Sequence, residues 1–404
     1  MKRRLEDARI LMYSHDTFGL GHLRRCRTIA HSLVGDYRGL NVLIISGATI
    51  AGAFDYRARV DFVTVPSVVK LKDGDYTPMA ERVDLQETLK MRQSIIRQTA
   101  ETFQPDIFIV DKEPLGLKGE VEETLQYLKA RGTTLVLGMR DVMDAPHLLD
   151  AEWKKSNMLP KIDQYYDTVW VYGPPDFYDP LIGLDVPSGV RRKMQFVGFL
   201  QRSVPQGTKS EHVPDEDYIL VTTGGGGDGA DLVNDVVSAF EHDQSLQHKT
   251  LIVLGPYMPA RERTELVERS SKIACLEVIE FDNRMEELID GAKAVVAMGG
   301  YNTYCEILSF DKPALIIPRT RPREEQLIRA QRASELGLID MLLPEESADP
   351  MLLSAALKRL TLRAPPSQSG EKNMRLEGLV HISRIVGDWL DDRDSYPPLS
   401  VVAE

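Results

Sequence analysis

The chain has 404 residues, 43% of them hydrophobic and 27% charged, with a formal net charge of -12. That is enough ordinary globular chain for two domains, and its acidity argues against broad nucleic-acid binding, which needs a basic face. Cys26, Cys275 and Cys305 form no CxxC pair, so neither a disulfide framework nor a structural zinc site is expected. The start, MKRRLEDARILMYS, lacks the apolar run of a signal peptide, and no stretch of about 18 apolar residues could cross a membrane, which points to the cytoplasm.

Short apolar runs alternate with helix-period segments along the chain. In the first half they lie at 8–13, 41–45, 62–65, 106–110, 134–137, 168–171 and 195–197. In the second half they lie at 218–221, 250–254, 276–279, 294–297 and 314–317, with a weak one at 339–343. They show little two-residue alternation, as expected of strands buried on both faces of a parallel sheet. The fold class is therefore α/β, with two Rossmann-like doubly wound domains. The polar stretch 200–217, LQRSVPQGTKSEHVPDED, reads as the linker. The expected domains are residues 1–203 and 204–373, with a helix at 374–392 that packs back towards the first domain and a loose tail at 393–404. Ligands of such sheets bind beyond the carboxyl ends of the strands, so the loops after strands matter most.

The first such loop carries Gly19-Leu20-Gly21-His22 and then opens a helix. The dipole at a helix start disfavours an imidazolium, so His22 is expected to be neutral and able to accept a proton; packing or capping of the helix is the alternative. His15 reads as a wall of the cleft, and Arg24 and Arg25 face either solvent or an acidic ligand. The second loop, Thr222-Thr223-Gly224-Gly225-Gly226-Gly227-Asp228-Gly229, suits an anion held by backbone N–H groups at a helix start. It lacks the Gly-Lys-Ser/Thr of a Walker loop. The next strand ends Leu254-Gly255-Pro256, without the acid of a dinucleotide site.

The third region runs from Glu280-Phe281-Asp282-Asn283-Arg284-Met285 to Gly299-Gly300-Tyr301-Asn302-Thr303-Tyr304-Cys305-Glu306. Gly299-Gly300 is a second turn fit for a phosphate. Glu306 could accept both hydroxyls of a ribose, or could close a capping box with Thr303; both readings stand. Arg319, Arg321 and Arg323, after the strand at 314–317, are candidate clamps for an anion. Asp111, Glu113 and Arg140 follow strands of the first half and either line the cleft or form local ion pairs. Asp73-Gly74-Asp75 reads as a solvated turn, and the stretch 147–159 as a helix packed on its own domain rather than a membrane contact.

The order GLGH, TTGGGG, EFDNRM, GGYNTYCEI, KPALIIP and EEQ resembles the B-type glycosyltransferases of family 28, a family that includes the peptidoglycan lipid-intermediate N-acetylglucosaminyltransferases. The likeness covers the whole architecture and is most specific over 218–330. It implies the GT-B fold and inverting transfer of a hexose or N-acetylhexosamine from a UDP-sugar to a carbohydrate or lipid-linked acceptor in cell-surface polysaccharide or glycolipid assembly. It implies no metal and no cofactor beyond the UDP-sugar co-substrate, and peripheral contact with the cytoplasmic face of the inner membrane. By position, Gly224, Gly225, Gly226, Gly227, Gly299 and Gly300 would hold the donor diphosphate, Phe281, Asp282 and Met285 the base, and Glu306 the ribose. Asn302, Thr303, Glu325 and Gln326 would touch the donor sugar, with Glu325 standing where the family has a glutamine. His22 would be the catalytic base, with Gly21, His15, Asp111, Glu113 and Arg140 on the acceptor side. A nucleotide-sugar hydrolase or 2-epimerase on the same fold, and a non-catalytic nucleotide-sugar binding protein, are the alternatives.

Overall fold

The aliphatic runs form the centres of two parallel sheets in the computed structural model, which describes residues 7–15, 20–70, 76–79, 83–205, 210–369 and 376–394. The first sheet holds β1 (Arg9–Ser14), β2 (Asn41–Ser46), β3 (Val60–Thr64), β6 (Ile107–Asp111), β7 (Thr134–Arg140), β8 (Thr168–Tyr172) and β9 (Met194–Phe196), in the order β3-β2-β1-β6-β7-β8-β9. The numbering leaves room for a two-stranded antiparallel hairpin, β4 (Val68–Lys70) and β5 (Tyr76–Pro78), that the sequence pattern does not reveal. Asp73-Gly74-Asp75, between its strands, lies outside the described residues.

The second sheet holds β10 (Tyr218–Thr222), β11 (Lys249–Val253), β12 (Leu276–Ile279), β13 (Ala294–Ala297), β14 (Ala314–Ile316) and β15 (Asp340–Met341), in the order β12-β11-β10-β13-β14-β15. The weak run at 339–343 thus contributes only a two-residue edge strand. Central strands such as β6 and β10 are buried along their whole length, which is why their residues are continuously apolar rather than alternating. Each sheet reverses its strand order beside its first strand, between β1 and β6 and between β10 and β13. A crevice for ligands opens at each reversal, beyond the carboxyl ends of the strands.

Four helices carry the site. They are α1 (Gly21–Asp36), following β1; the helix Ala230–His242, following β10; Met285–Gly291, before β13; and Tyr301–Ser309, following β13. Leu23, Cys26, Ile29, Ala30 and Leu33 of α1 are fully buried at helical spacing against the first sheet. The C-terminal helix Gly378–Asp394 contacts α1, Trp389 stacks on Trp170 with ring centroids 5.8 Å apart, and the Gly378 N–H donates to the Phe199 carbonyl at 3.0 Å. In the stretch 147–159, Leu149, Trp153 and Met158 are buried in the first domain's core, so its apolar residues face inward.

Ion pairs tie the domains together across their cleft. The strongest geometry is bidentate: Arg329 donates Nε and Nη2 to the two oxygens of Asp141 at 2.7 and 2.6 Å, with both side chains only 1% exposed. Asp144 accepts from Arg323 at 2.8 Å and from the backbone N–H of Glu324 at 2.8 Å. Removing one member of a buried pair strands the other charge, at a cost of about 3–5 kcal/mol. Asp141→Ala is therefore expected to lose about 3–5 kcal/mol of stability, and Asp141→Leu/Arg329→Met to regain most of it, as measured by chemical denaturation. Equal stability of Asp141→Ala and the wild type would mean that the pair does not hold the domains.

Candidate active site

The two crevices face each other and merge into one cavity of about 250 Å³. The first domain contributes Leu20, Gly21, His22, Arg24, Arg25, Phe54 and Arg140 to its wall. The second contributes its two glycine turns, the Phe281–Met285 segment and the first turns of the helix Tyr301–Ser309. The sequence had separated these residues by up to about 300 positions; the fold makes them neighbours.

His22 occupies the first turn of α1, where its Nδ1 lies 2.6 Å from Asp111 Oδ2. Asp111 ends β6, across the strand-order reversal from β1, and is 1% exposed. Arg25, one turn further along α1 and on the same face as His22, donates Nε to Asp111 Oδ1 at 2.8 Å and a second N–H to Oδ2. Burial raises the Asp111 carboxyl, but the Arg25 guanidinium and the hydrogen bonds from His22 and Arg25 together outweigh it and hold the group well below the usual carboxylate range. Ionised Asp111 accepts a proton bond from neutral His22 Nδ1–H, and the tautomer assigned by that bond leaves Nε2 as an acceptor. Burial is the main reason the imidazole stays neutral: it pushes the His22 pKa down to about 4, against the pull of Asp111. The helix-start dipole invoked from sequence acts in the same direction. Arg25 also lies over the rings of Tyr172 and Tyr301, 5.9 and 5.4 Å from their centroids.

Arg24 points the other way along α1, into the second domain. Its Nη2 donates to Glu286 Oε1 at 3.1 Å and to Glu306 Oε1. Arg24 and Arg25, whose orientation the sequence left open, thus both bind carboxylates, one inside its own domain and one across the cleft. A periodicity reading could have found Arg25, three residues from His22; nothing in the sequence names Glu306 as the partner of Arg24.

The glycine loop after β10 does two jobs. Gly224, Gly225, Gly227 and Asp228 line the cavity. Gly226 does not: at φ +86° it is packed against the backbone of the next loop, where a Cβ would lie 2.3 Å from the Leu254 carbonyl. In the second turn, Gly299 (φ +77°) leaves no room for a Cβ beside Ile316, and Gly300 is the N-cap of the helix Tyr301–Ser309. Thr303 is then the third residue of that helix rather than its cap, so Thr303 and Glu306 form no capping box.

The remaining sequence candidates divide. Phe281, Asp282, Met285, Asn302, Thr303, Glu306 and Gln326 line the cavity. Asp282 also binds Ser210 and His212, each through Oδ2, at 2.6 and 2.8 Å. Asn302 donates to the Gly21 carbonyl at 2.9 Å and accepts from Arg202 at 2.7 Å. Gln326 accepts from the Arg319 N–H at 3.0 Å. Glu325 stands behind Arg319, which donates to its Oε1 at 2.6 Å and to Asp228 at 2.6 Å, while Arg140 lies 3.9 Å from the same oxygen. The other oxygen of Glu325 is buried with no partner among the described residues, as is the Arg140 Nε. His15 and Glu113 sit behind the cavity wall. The His15 ring meets that of His22 edge-on at 5.6 Å and is pushed down to about 3 by burial, and Glu113 pairs with Lys112 at 3.1 Å.

The fold has parallels among known proteins. Residues 218–383 match the glycosyltransferase family 28 C-terminal domain. No curated protein matches the sequence significantly. Similar solved structures include the MurG protein of Acinetobacter baumannii, 11% identical over 95% of this chain and 99% of that one, with a TM-score of 0.56. Another is the glycosyltransferase VinC in complex with dTDP, 16% identical over 96% of this chain and 100% of that one, with a TM-score of 0.59. A third, the Phytolacca americana glycosyltransferase UGT2 complexed with UDP-2-fluoroglucose and pterostilbene, is 14% identical over 95% of this chain and 99% of that one, with a TM-score of 0.57. Residues 218–383 are thus similar to the glycosyltransferase family 28 C-terminal domain, and the chain as a whole has the two-domain GT-B fold of these structures.

Proposed function

We propose that the protein transfers a hexose or N-acetylhexosamine from a UDP-sugar to a hydroxyl of a carbohydrate or lipid-linked acceptor, with inversion and without a metal. The observation that carries this reading is the His22–Asp111 pair facing two glycine turns across one cavity. His22 Nε2 takes the acceptor hydroxyl proton, the acceptor oxygen bonds to the anomeric carbon, and the bond from that carbon to the diphosphate oxygen breaks. Asp111 fixes the tautomer and stabilises the imidazolium that forms. The departing diphosphate gathers negative charge. The N–H groups of Gly224, Gly225 and Gly300, the start of the helix Tyr301–Ser309 and Arg319, which line the cavity, would meet it.

Two neighbours with bound nucleotide carry pyrimidine diphosphates, dTDP and a UDP-sugar, which supports a pyrimidine donor here. In this reading the Phe281–Met285 segment takes the base and Glu306 the ribose. The unpartnered oxygen of Glu325 supports a contact with a donor-sugar hydroxyl. A hydrolase would use the same base on water, and product analysis with and without acceptor separates the two. Leu149 and Trp153 are buried, so a contact with the inner membrane would have to use another surface.

UDP is expected to raise the melting temperature more than GDP or CMP, and Glu306→Ala to weaken UDP binding by about 1–3 kcal/mol in titration calorimetry. Equal shifts from all three nucleotides would remove the uridine pocket. A folded His22→Ala variant should bind UDP like the wild type and turn over at least about a hundredfold more slowly. Because neutral His22 is the active form and burial holds its pKa at about 4, transfer at saturating donor should persist down to about pH 5 and fall as pH drops through about 4. A rate that falls with a midpoint near an ordinary histidine, about 6.5, would mean a solvated base instead.

A further inference from the structure

If Glu306 reads the donor ribose, as proposed above, the structure poses a question about its charge. The Glu306 side chain is 1% exposed, yet a carboxyl accepts both hydroxyls of a diol only when it is ionised. A buried carboxylate needs a cation, and among the described residues of the second domain none is in contact with it. The cation in contact is Arg24, from α1 of the first domain.

Arg24 is shared. The same Nη2 binds Glu286, in the first turn of the helix Met285–Gly291, at 3.1 Å. Two buried carboxylates therefore converge on one guanidinium. Arg202, from the segment joining the sheets, adds a weaker pull on both, and Arg27 of α1 acts on Glu286. Burial pushes the Glu306 carboxyl up to about 7; Arg24 opposes the rise and Glu286 adds to it. Glu286 goes the other way, because Arg24, its own backbone N–H, Arg27 and Arg202 together outweigh its burial. Without Arg24 the two carboxyls would keep only the weaker pull of Arg202 and Arg27, and one would take up a proton.

Arg24 is also part of a seam. In the first two turns of α1, the Gly21 carbonyl accepts from Asn302 at 2.9 Å and Thr28 binds Arg202. The first domain thus presses one helix against the start of the helix that carries Glu306. We propose that Arg24 is a positioning residue of the donor site, holding the Glu306 carboxylate ionised for the ribose, so that the nucleotide pocket is complete only while α1 lies against the helix Tyr301–Ser309. Donor affinity and closure of the two domains are then one linked equilibrium.

The test is UDP affinity by titration calorimetry from pH 5.5 to 9 for the wild type, Arg24→Met and Glu286→Gln. Affinity should rise with pH in each as Glu306 ionises. The midpoint should lie highest in Arg24→Met and lowest in Glu286→Gln, which removes the competing carboxylate. A midpoint raised by one unit from about 7 weakens Arg24→Met about fivefold at pH 7 and leaves it near wild type at pH 9. The phosphate of UDP titrates near ~6 in all variants alike, so the differences between variants report the protein. A merely structural seam would give a pH-independent loss in Arg24→Met and no shift in Glu286→Gln; that result, or wild-type binding by Arg24→Met throughout, overturns the proposal. If Arg24→Met does not fold, the Glu286→Gln midpoint decides alone. Weakening by Glu306→Ala without any effect of Arg24 would refute this proposal and leave the donor reading standing, whereas no UDP binding by the wild type refutes both.

Discussion

Asp111 is a buried carboxylate at the carboxyl end of the central strand β6, and the first half of the site is built around it. A charge with so little access to water persists only if it is paired and hydrogen-bonded. Arg25 supplies the pairing through two N–H groups, and His22 supplies a further bond. Both ligands come from the first two turns of one helix, so satisfying Asp111 fixes how α1 sits on the sheet. The same interaction orients the imidazole and holds the proton on Nδ1. The seating of α1 and the orientation of the His22 imidazole therefore depend on a single carboxylate.

The second half of the site follows a different principle. Its glycine turns offer backbone N–H groups at helix starts, an arrangement that needs no charged side chain to hold an anion. Their cations, Arg319 above all, are occupied by Asp228 and Glu325. Charge in the cleft is thus largely compensated by protein partners, and a ligand would enter by exchanging bonds rather than by filling a bare positive surface. That agrees with the acidic composition of the whole chain.

Between the halves runs a seam of ion pairs, of which Asp141–Arg329 is the most buried and Arg24 with its two carboxylates the nearest to the cavity. The seam is polar where the two cores beneath it are apolar. A polar interface between domains permits relative motion in a way that a continuous apolar core does not. The placing of Arg24 means that such motion would be felt directly at Glu306.

The sequence by itself determined the two sheets, their strands and the loops that matter. Unalternating runs such as Ile107–Asp111 and Tyr218–Thr222 can be satisfied only when buried on both faces, and glycines cluster where the backbone must turn into a helix. It also placed His22, Glu306 and the glycine turns after strands, where the structure brings them to one cavity. What it could not give was the partnership of distant charges. Glu306 reads equally as a cap or a ligand until the helix start at Gly300 removes the cap, and Arg24 has no meaning until Glu286 and Glu306 are brought against it. The hairpin Val68–Lys70 with Tyr76–Pro78 and the inward role of Gly226 escaped for the same reason. Periodicity records what a segment must hide from water, whereas the partner of a buried charge is chosen only when segments far apart in the chain pack together.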